Sequence, residues 1–94
     1  MFEINLGQNN EIGLTGRLDA SQVDKAKNIF DSIKTTHTVN FQELDYISSA
    51  GLSVLLVTQK RLNETGNQLI LKNMNMHIQE VFKYAGFDMI FKIE

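Results

Sequence analysis

Two hydrophobic periodicities alternate along this chain, and their order constrains its fold more than any other feature. Phe2, Ile4 and Leu6 alternate with Glu3 and Asn5, as in a half-buried strand. After the Gly7-Gln8-Asn9-Asn10 turn, Ile12, Leu14 and Leu18 resume the alternation, so an N-terminal hairpin is predicted. Asp19 then reads as the N-cap of a helix running to about Thr35, with Val23, Ala26, Phe30 and Ile33 on one face. A short strand over residues 37–41 sets Val39 and Phe41 on one side. A second helix begins at Ser48 or Ser49, buries Leu52, Leu55, Leu56, Gln59 and Leu62, and stops at Thr65-Gly66. Residues 67–72 supply another strand through Leu69 and Leu71. A third helix buries Ile78, Val81, Phe82 and Ala85; Gly86 ends it, and residues 89–93 make a last strand.

The predicted order is therefore β-β-α-β-α-β-α-β. Strands separated by helices of this length call for right-handed crossovers and a largely parallel central sheet, an α/β fold. With only two or three sizeable helices, one sheet face is expected to be more thinly covered. No linker, repeat or low-complexity stretch interrupts residues 1–94, so a single domain is expected. A hydrophobic content of 43% against 21% charged residues suits one folded core and excludes disorder.

The same residues exclude several kinds of function. A net charge of −2 gives no general attraction for nucleic acid or an anionic membrane. The chain has no cysteine, so it offers no disulfide, thiol nucleophile or thiolate metal site. No apolar run approaches the ~20 residues of a membrane helix. The first residues carry no basic segment of a signal peptide, and a cytoplasmic location is expected. A serine hydrolase of the α/β type needs Gly-x-Ser-x-Gly and a histidine base, whereas Ile47-Ser48-Ser49-Ala50-Gly51 lacks the first glycine. His37 and His77, the chain's only histidines, fall at the start of a strand and near the start of the third helix and read as ordinary surface residues. No metal-ligand spacing or phosphate-binding glycine loop occurs, so no catalytic residue, metal or cofactor is expected.

What remains is Leu44-Asp45-Tyr46-Ile47-Ser48-Ser49-Ala50-Gly51-Leu52. This segment places hydroxyls and free backbone N–H groups together at a helix N-terminus, where the dipole favours negative charge. Capping accounts for one serine, at about 1 kcal/mol. Gly51 in the first turn costs up to about 1 kcal/mol relative to alanine, which points to close backbone approach by a strand or a bound group. In a parallel sheet the strand-to-helix junctions gather at one edge, so Asp19 is expected near the serines. Its carboxylate there would cap a helix or help to hold a partner or a metal.

Three segments resemble one known family. Gly16-Arg17-Leu18-Asp19, then residues 45–52, then Val81-Phe82-Lys83-Tyr84-Ala85-Gly86-Phe87 are similar to the STAS domain in its free-standing form, the bacterial anti-sigma factor antagonist. The resemblance spans essentially the whole chain. It implies a mixed four- to five-stranded sheet flanked by helices, and a monomer that acts by binding. It also implies a partner-switching cycle. The unphosphorylated protein would bind an anti-sigma factor that is also a serine kinase of the histidine-kinase-like ATPase type, and so release the sigma factor. Phosphorylation would end that binding, and a PP2C-type phosphatase would restore it. Aligned on Gly51, the phosphoacceptor falls on Ser49, and the partner-binding positions on Asp19, Ser48, Ser49, Ala50, Gly51 and Leu52. Ser48 stands where aspartate is frequent, Ala50 where serine or threonine is, and Arg17 where many antagonists carry glutamate. The resemblance allows a different role as well, as a subunit of a lipid-transporting ABC complex or a signalling scaffold that uses helix surfaces without a phosphoserine.

Overall fold

The computed structural model describes residues 1–94, which form one sheet of five strands and three α-helices. Strands β1 (Phe2–Leu6) and β2 (Glu11–Leu18) make the antiparallel hairpin. A 3-10 turn (Ala20–Gln22) and α1 (Val23–Phe30) lead to β3 (His37–Ile47). Then come α2 (Ser49–Asn63), β4 (Leu69–Lys72), α3 (Met76–Tyr84), a 3-10 turn (Phe87–Met89) and β5 (Lys92–Ile93). From β2 to β5 each strand pairs in parallel with the next, so the sheet is mixed, with order β1-β2-β3-β4-β5.

That order decides where the helices go. Strands laid down one after another without reversal, joined by crossovers of one hand, put every helix on the same face. The burial pattern agrees. Ile12, Leu14 and Leu18 of β2, Val39 and Phe41 of β3, and Leu69 and Leu71 of β4 join Ala26, Phe30, Leu55, Leu62, Ile78 and Phe82 of the helices in one core. The opposite face presents Thr15, Arg17, Asn40, Glu43, Tyr46 and Lys72, none of them fully buried. On it Lys72 reaches Glu11 at 2.8 Å and Asn40 donates to the same carboxylate, which together hold the Glu11 carboxyl below its ordinary pKa. The thinly covered face expected from the sequence is thus an open one.

Three elements differ from the sequence expectation. The first helix ends at Phe30, not near Thr35, although Ile33 is buried as expected. Arg61 of α2 donates from its two terminal nitrogens to the carbonyls of Phe30 and Ile33, both at 2.8 Å. The guanidinium satisfies the helix end from another element, so the chain turns away there. The third strand runs to Ile47, twice the expected length, because its pairing with β2 is shifted between Gly13 and Thr15 and again between Gly16 and Arg17. The last strand shrinks to Lys92–Ile93, and Met89 and Ile90 are exposed. Gln59, buried on α2, fixes this C-terminal segment. Its side-chain oxygen accepts from Leu69 N at 2.7 Å and its amide donates to Ile90 O at 3.0 Å. No helix is long and apolar enough to cross a membrane.

Candidate functional site

The junctions after β2 and β3 lie side by side. Parallel pairing sets Leu18 against Ile47, and Ser48 N extends the ladder by donating to Leu18 O at 2.9 Å. Asp19 and Ser48 therefore leave adjacent strands at one sheet edge, as the topology required.

Ser48 is the N-cap of α2. Its backbone is extended (φ −87°, ψ 169°), and its hydroxyl oxygen accepts from Gly51 N at 3.2 Å. Ser49 is the first helical residue, and it is exposed. Spacing alone allows either serine to cap, and the resemblance puts the acceptor on Ser49; in the structure Ser48 is the cap. One is occupied in holding the helix end, and the other stands free beside it. A negative group on Ser49 would face the positive end of a 15-residue helix dipole.

Asp19 is engaged locally. Its carboxylate accepts from Ser21 Oγ at 2.6 Å and from Ser21 N at 3.0 Å, capping the 3-10 turn that starts at Ala20. The Ser21 hydroxyl is the largest influence holding the Asp19 carboxyl below its ordinary pKa, with the backbone N–H and the Arg17 charge adding to it. Gly16 has φ +91°, and the Met1 carbonyl fills the space that a Cβ would take, so the glycine of this segment serves the hairpin.

Gly51 answers the question the sequence posed. A Cβ built there would lie 2.8 Å from Leu18 Cγ and 2.9 Å from Ile47 Cγ1. The close approach is by the two strands, not by a bound group. Gly51 and Leu52 are both buried, so they set the position of the first turn and leave Ser48, Ser49 and Ala50 to meet solvent. Gly51→Ala is expected to lower stability in urea unfolding by about 1–2 kcal/mol, because overpacking outweighs the gain in helix propensity. A stabilised variant would show that propensity dominates and that the contact relaxes freely.

One feature gave no signal in the sequence. Val23 and Lys27 of α1 face Ala50, Ser53, Val54 and Val57 of α2 across a groove of about 380 Å³ that begins at the Ser49 turn. Each helix shows a stripe at helical spacing here, and Val57 is 59% exposed. The pattern was hidden because Val23 reads as a core residue, while Val54 and Val57 fall outside the stripe that the sequence assigns to the second helix. Of the histidines, His37 is buried with Nδ1 2.8 Å from Thr35 O, while His77 is exposed on α3.

Comparison with known proteins agrees with this geometry. The family described as "Mlab, STAS domain" matches residues 5–93. BtrV of Bordetella bronchiseptica, assigned as an anti-sigma factor antagonist, is 38% identical over 74 residues, 79% of this chain. The match spans 58% of that relative's length. Among solved structures, a Thermotoga maritima protein described as an anti-sigma factor antagonist superposes with a TM-score of 0.82 at 19% identity, covering 98% of this chain and 84% of the other. The Bacillus antagonist SpoIIAA, solved unphosphorylated, gives 0.74 at 19% identity, with 100% and 87% covered. Its phosphorylated form gives 0.72 at 20% identity, with 100% and 91% covered. At these identities the structural likeness is one of fold. With a family match across almost its whole length, the chain belongs to the STAS domain family and is like the anti-sigma factor antagonists in sequence and fold.

Proposed function

We propose that residues 1–94 act as a single STAS domain in a cytoplasmic partner switch, by binding and not by catalysis. The unphosphorylated form binds an anti-sigma factor that is also a serine kinase, and so releases the sigma factor. Phosphorylation of Ser49 ends that binding, and a PP2C-type phosphatase reverses it. The observation that carries this reading is the division of labour at the α2 N-terminus. Ser49 is exposed and free, while Ser48 holds the cap. A phosphate there adds about −1.5 to −2 charges where the helix dipole accepts them, so the fold survives while the surface becomes more negative. Two further observations support a binding role. The strand order never reverses, so the sheet lacks the crevice in which open α/β folds hold small substrates. Beside Ser49, the α1–α2 groove offers an apolar seat to a protein partner.

The direct test is the phosphate itself. Protein purified from its native cells is expected to carry a single phosphate in part of the population, located on Ser49 by fragment-ion mass spectrometry. Phosphate confined to Ser48, or none under any growth condition, would overturn the reading.

A second reading has its own support in the apolar side chains exposed on α3 and the C-terminal segment. Tyr84 is 95% exposed, Met89 87% and Met76 77%. Such a surface suits permanent docking, as in a lipid-transport ABC complex or a signalling scaffold. In that role the protein would co-purify with transporter subunits whatever the state of Ser49.

A further inference from the structure

Arg17 is the only basic residue in the two segments that build the switch edge, residues 16–19 and 44–52. Its side chain is exposed, and its guanidinium carbon lies 4.3 Å from the centre of the Tyr46 ring, its cross-strand partner. The ring meets the guanidinium as a π-system and takes none of its N–H donors in a hydrogen bond. The intramolecular ion pairs join Lys25 to Glu3, Lys27 to Asp31, Lys72 to Glu11 and Lys92 to Glu94. Arg17 takes part in none of them, although Asp19 is two residues away. The Asp19 carboxylate is already taken by Ser21. Among the side chains of these two segments, Arg17 is therefore the one cation, outside any ion pair and held against an aromatic ring.

We propose that Arg17 is the specificity residue of this surface, and that it receives a carboxylate which the partner presents on the open sheet face next to the β2–β3 junction that Ser48 extends. The inference rests on the binding role proposed above. Two physical arguments carry it. A guanidinium prefers the flat, two-oxygen geometry of a carboxylate. Being held by Tyr46, it loses little further freedom on binding, which is how arginine anchors interfaces.

The test uses the full chain carrying Ser49→Ala as an immobilised bait, with Arg17 retained or changed to Glu or Lys, and ATP-depleted lysate of the native cells. Recovery of the kinase-type partner is expected to fall about 100-fold for Arg17→Glu, and much less for Arg17→Lys. With the Arg17→Lys bait, a zero-length carbodiimide cross-link is expected between Lys at that position and a partner Asp or Glu. Changing that acid to Arg is expected to restore binding to the Arg17→Glu bait. Circular dichroism of each bait confirms that it is folded. If the partner binds the Arg17→Glu bait as well as the parent while Ser49→Asp abolishes binding, the proposal falls and the switch reading stands. Retained binding by Arg17→Lys with no cross-link at that position also overturns it. If no bait recovers such a partner, both fall together.

Discussion

Ser49→Asp is expected to abolish partner binding while leaving the fold intact. The change adds one negative charge at the first position of α2, where Asp is favoured by the dipole by about 0.3–1 kcal/mol. Stability should therefore be unchanged or slightly higher. Binding should respond in the opposite direction. A charge placed against an apolar or acidic partner surface costs several kcal/mol, or on the order of 100-fold or more in affinity. Ser49→Ala removes the acceptor without adding charge, so it should bind continuously even when ATP is supplied. Ser48→Ala makes a useful contrast. It deletes the cap to Gly51 and is expected to cost about 1 kcal/mol of stability while binding persists. Equal recovery of the partner by wild type and Ser49→Asp without ATP would sink the switch.

The site was largely legible in the sequence because it is built from local chemistry. Serines before an apolar run mark a helix start, and a parallel topology brings Asp19 to the same edge. Which serine caps is not legible from spacing, since both satisfy the same pattern; only the resemblance, by putting the acceptor on Ser49, leaves Ser48 as the capping or positioning neighbour. The choice depends on where β3 ends, and β3 was the strand that periodicity misread. Its core residues Phe41, Leu44 and Ile47 fall three apart because of the two register shifts. Extra residues in a strand break the period of two and leave a spacing that looks helical. The end of α1 was hidden for another reason. Ile33 keeps helical phase with Phe30 and is buried, but Arg61, distant in sequence, terminates the helix. Glycine in the first turn of a helix marks Gly51 as a place of close approach, and Leu18 and Ile47 make that approach. Whether a strand or a ligand approached it was a question of tertiary packing.

The third segment of the family resemblance, residues 81–87, belongs to the core more than to the site, and Phe82→Ala should show it. Phe82 is fully buried, with its ring 5.9 Å from Phe41, 5.8 Å from Phe91 and 6.3 Å from Phe87, all near edge-to-face. It ties α3 to the middle of the sheet and to the C-terminal segment at once. Truncation removes the buried ring and leaves a cavity that three other aromatic side chains line, at a cost of about 3–5 kcal/mol. A domain of this size holds roughly 5–14 kcal/mol in total. The melting temperature should fall by roughly 12–40 °C. Phe82→Leu keeps most of the volume and should recover much of the loss. Tyr84→Ala, two positions along the same helix but 95% exposed, should stay within about 0.5 kcal/mol of wild type. Equal losses for Phe82→Ala and Tyr84→Ala would mean that the segment acts as a surface. A large loss for Phe82 alone, with Ser49 still accessible to a kinase in the folded Phe82→Leu variant, places the two roles of the family pattern in different parts of the chain. Residues 81–87 then specify the fold, and residues 44–52 what the fold displays.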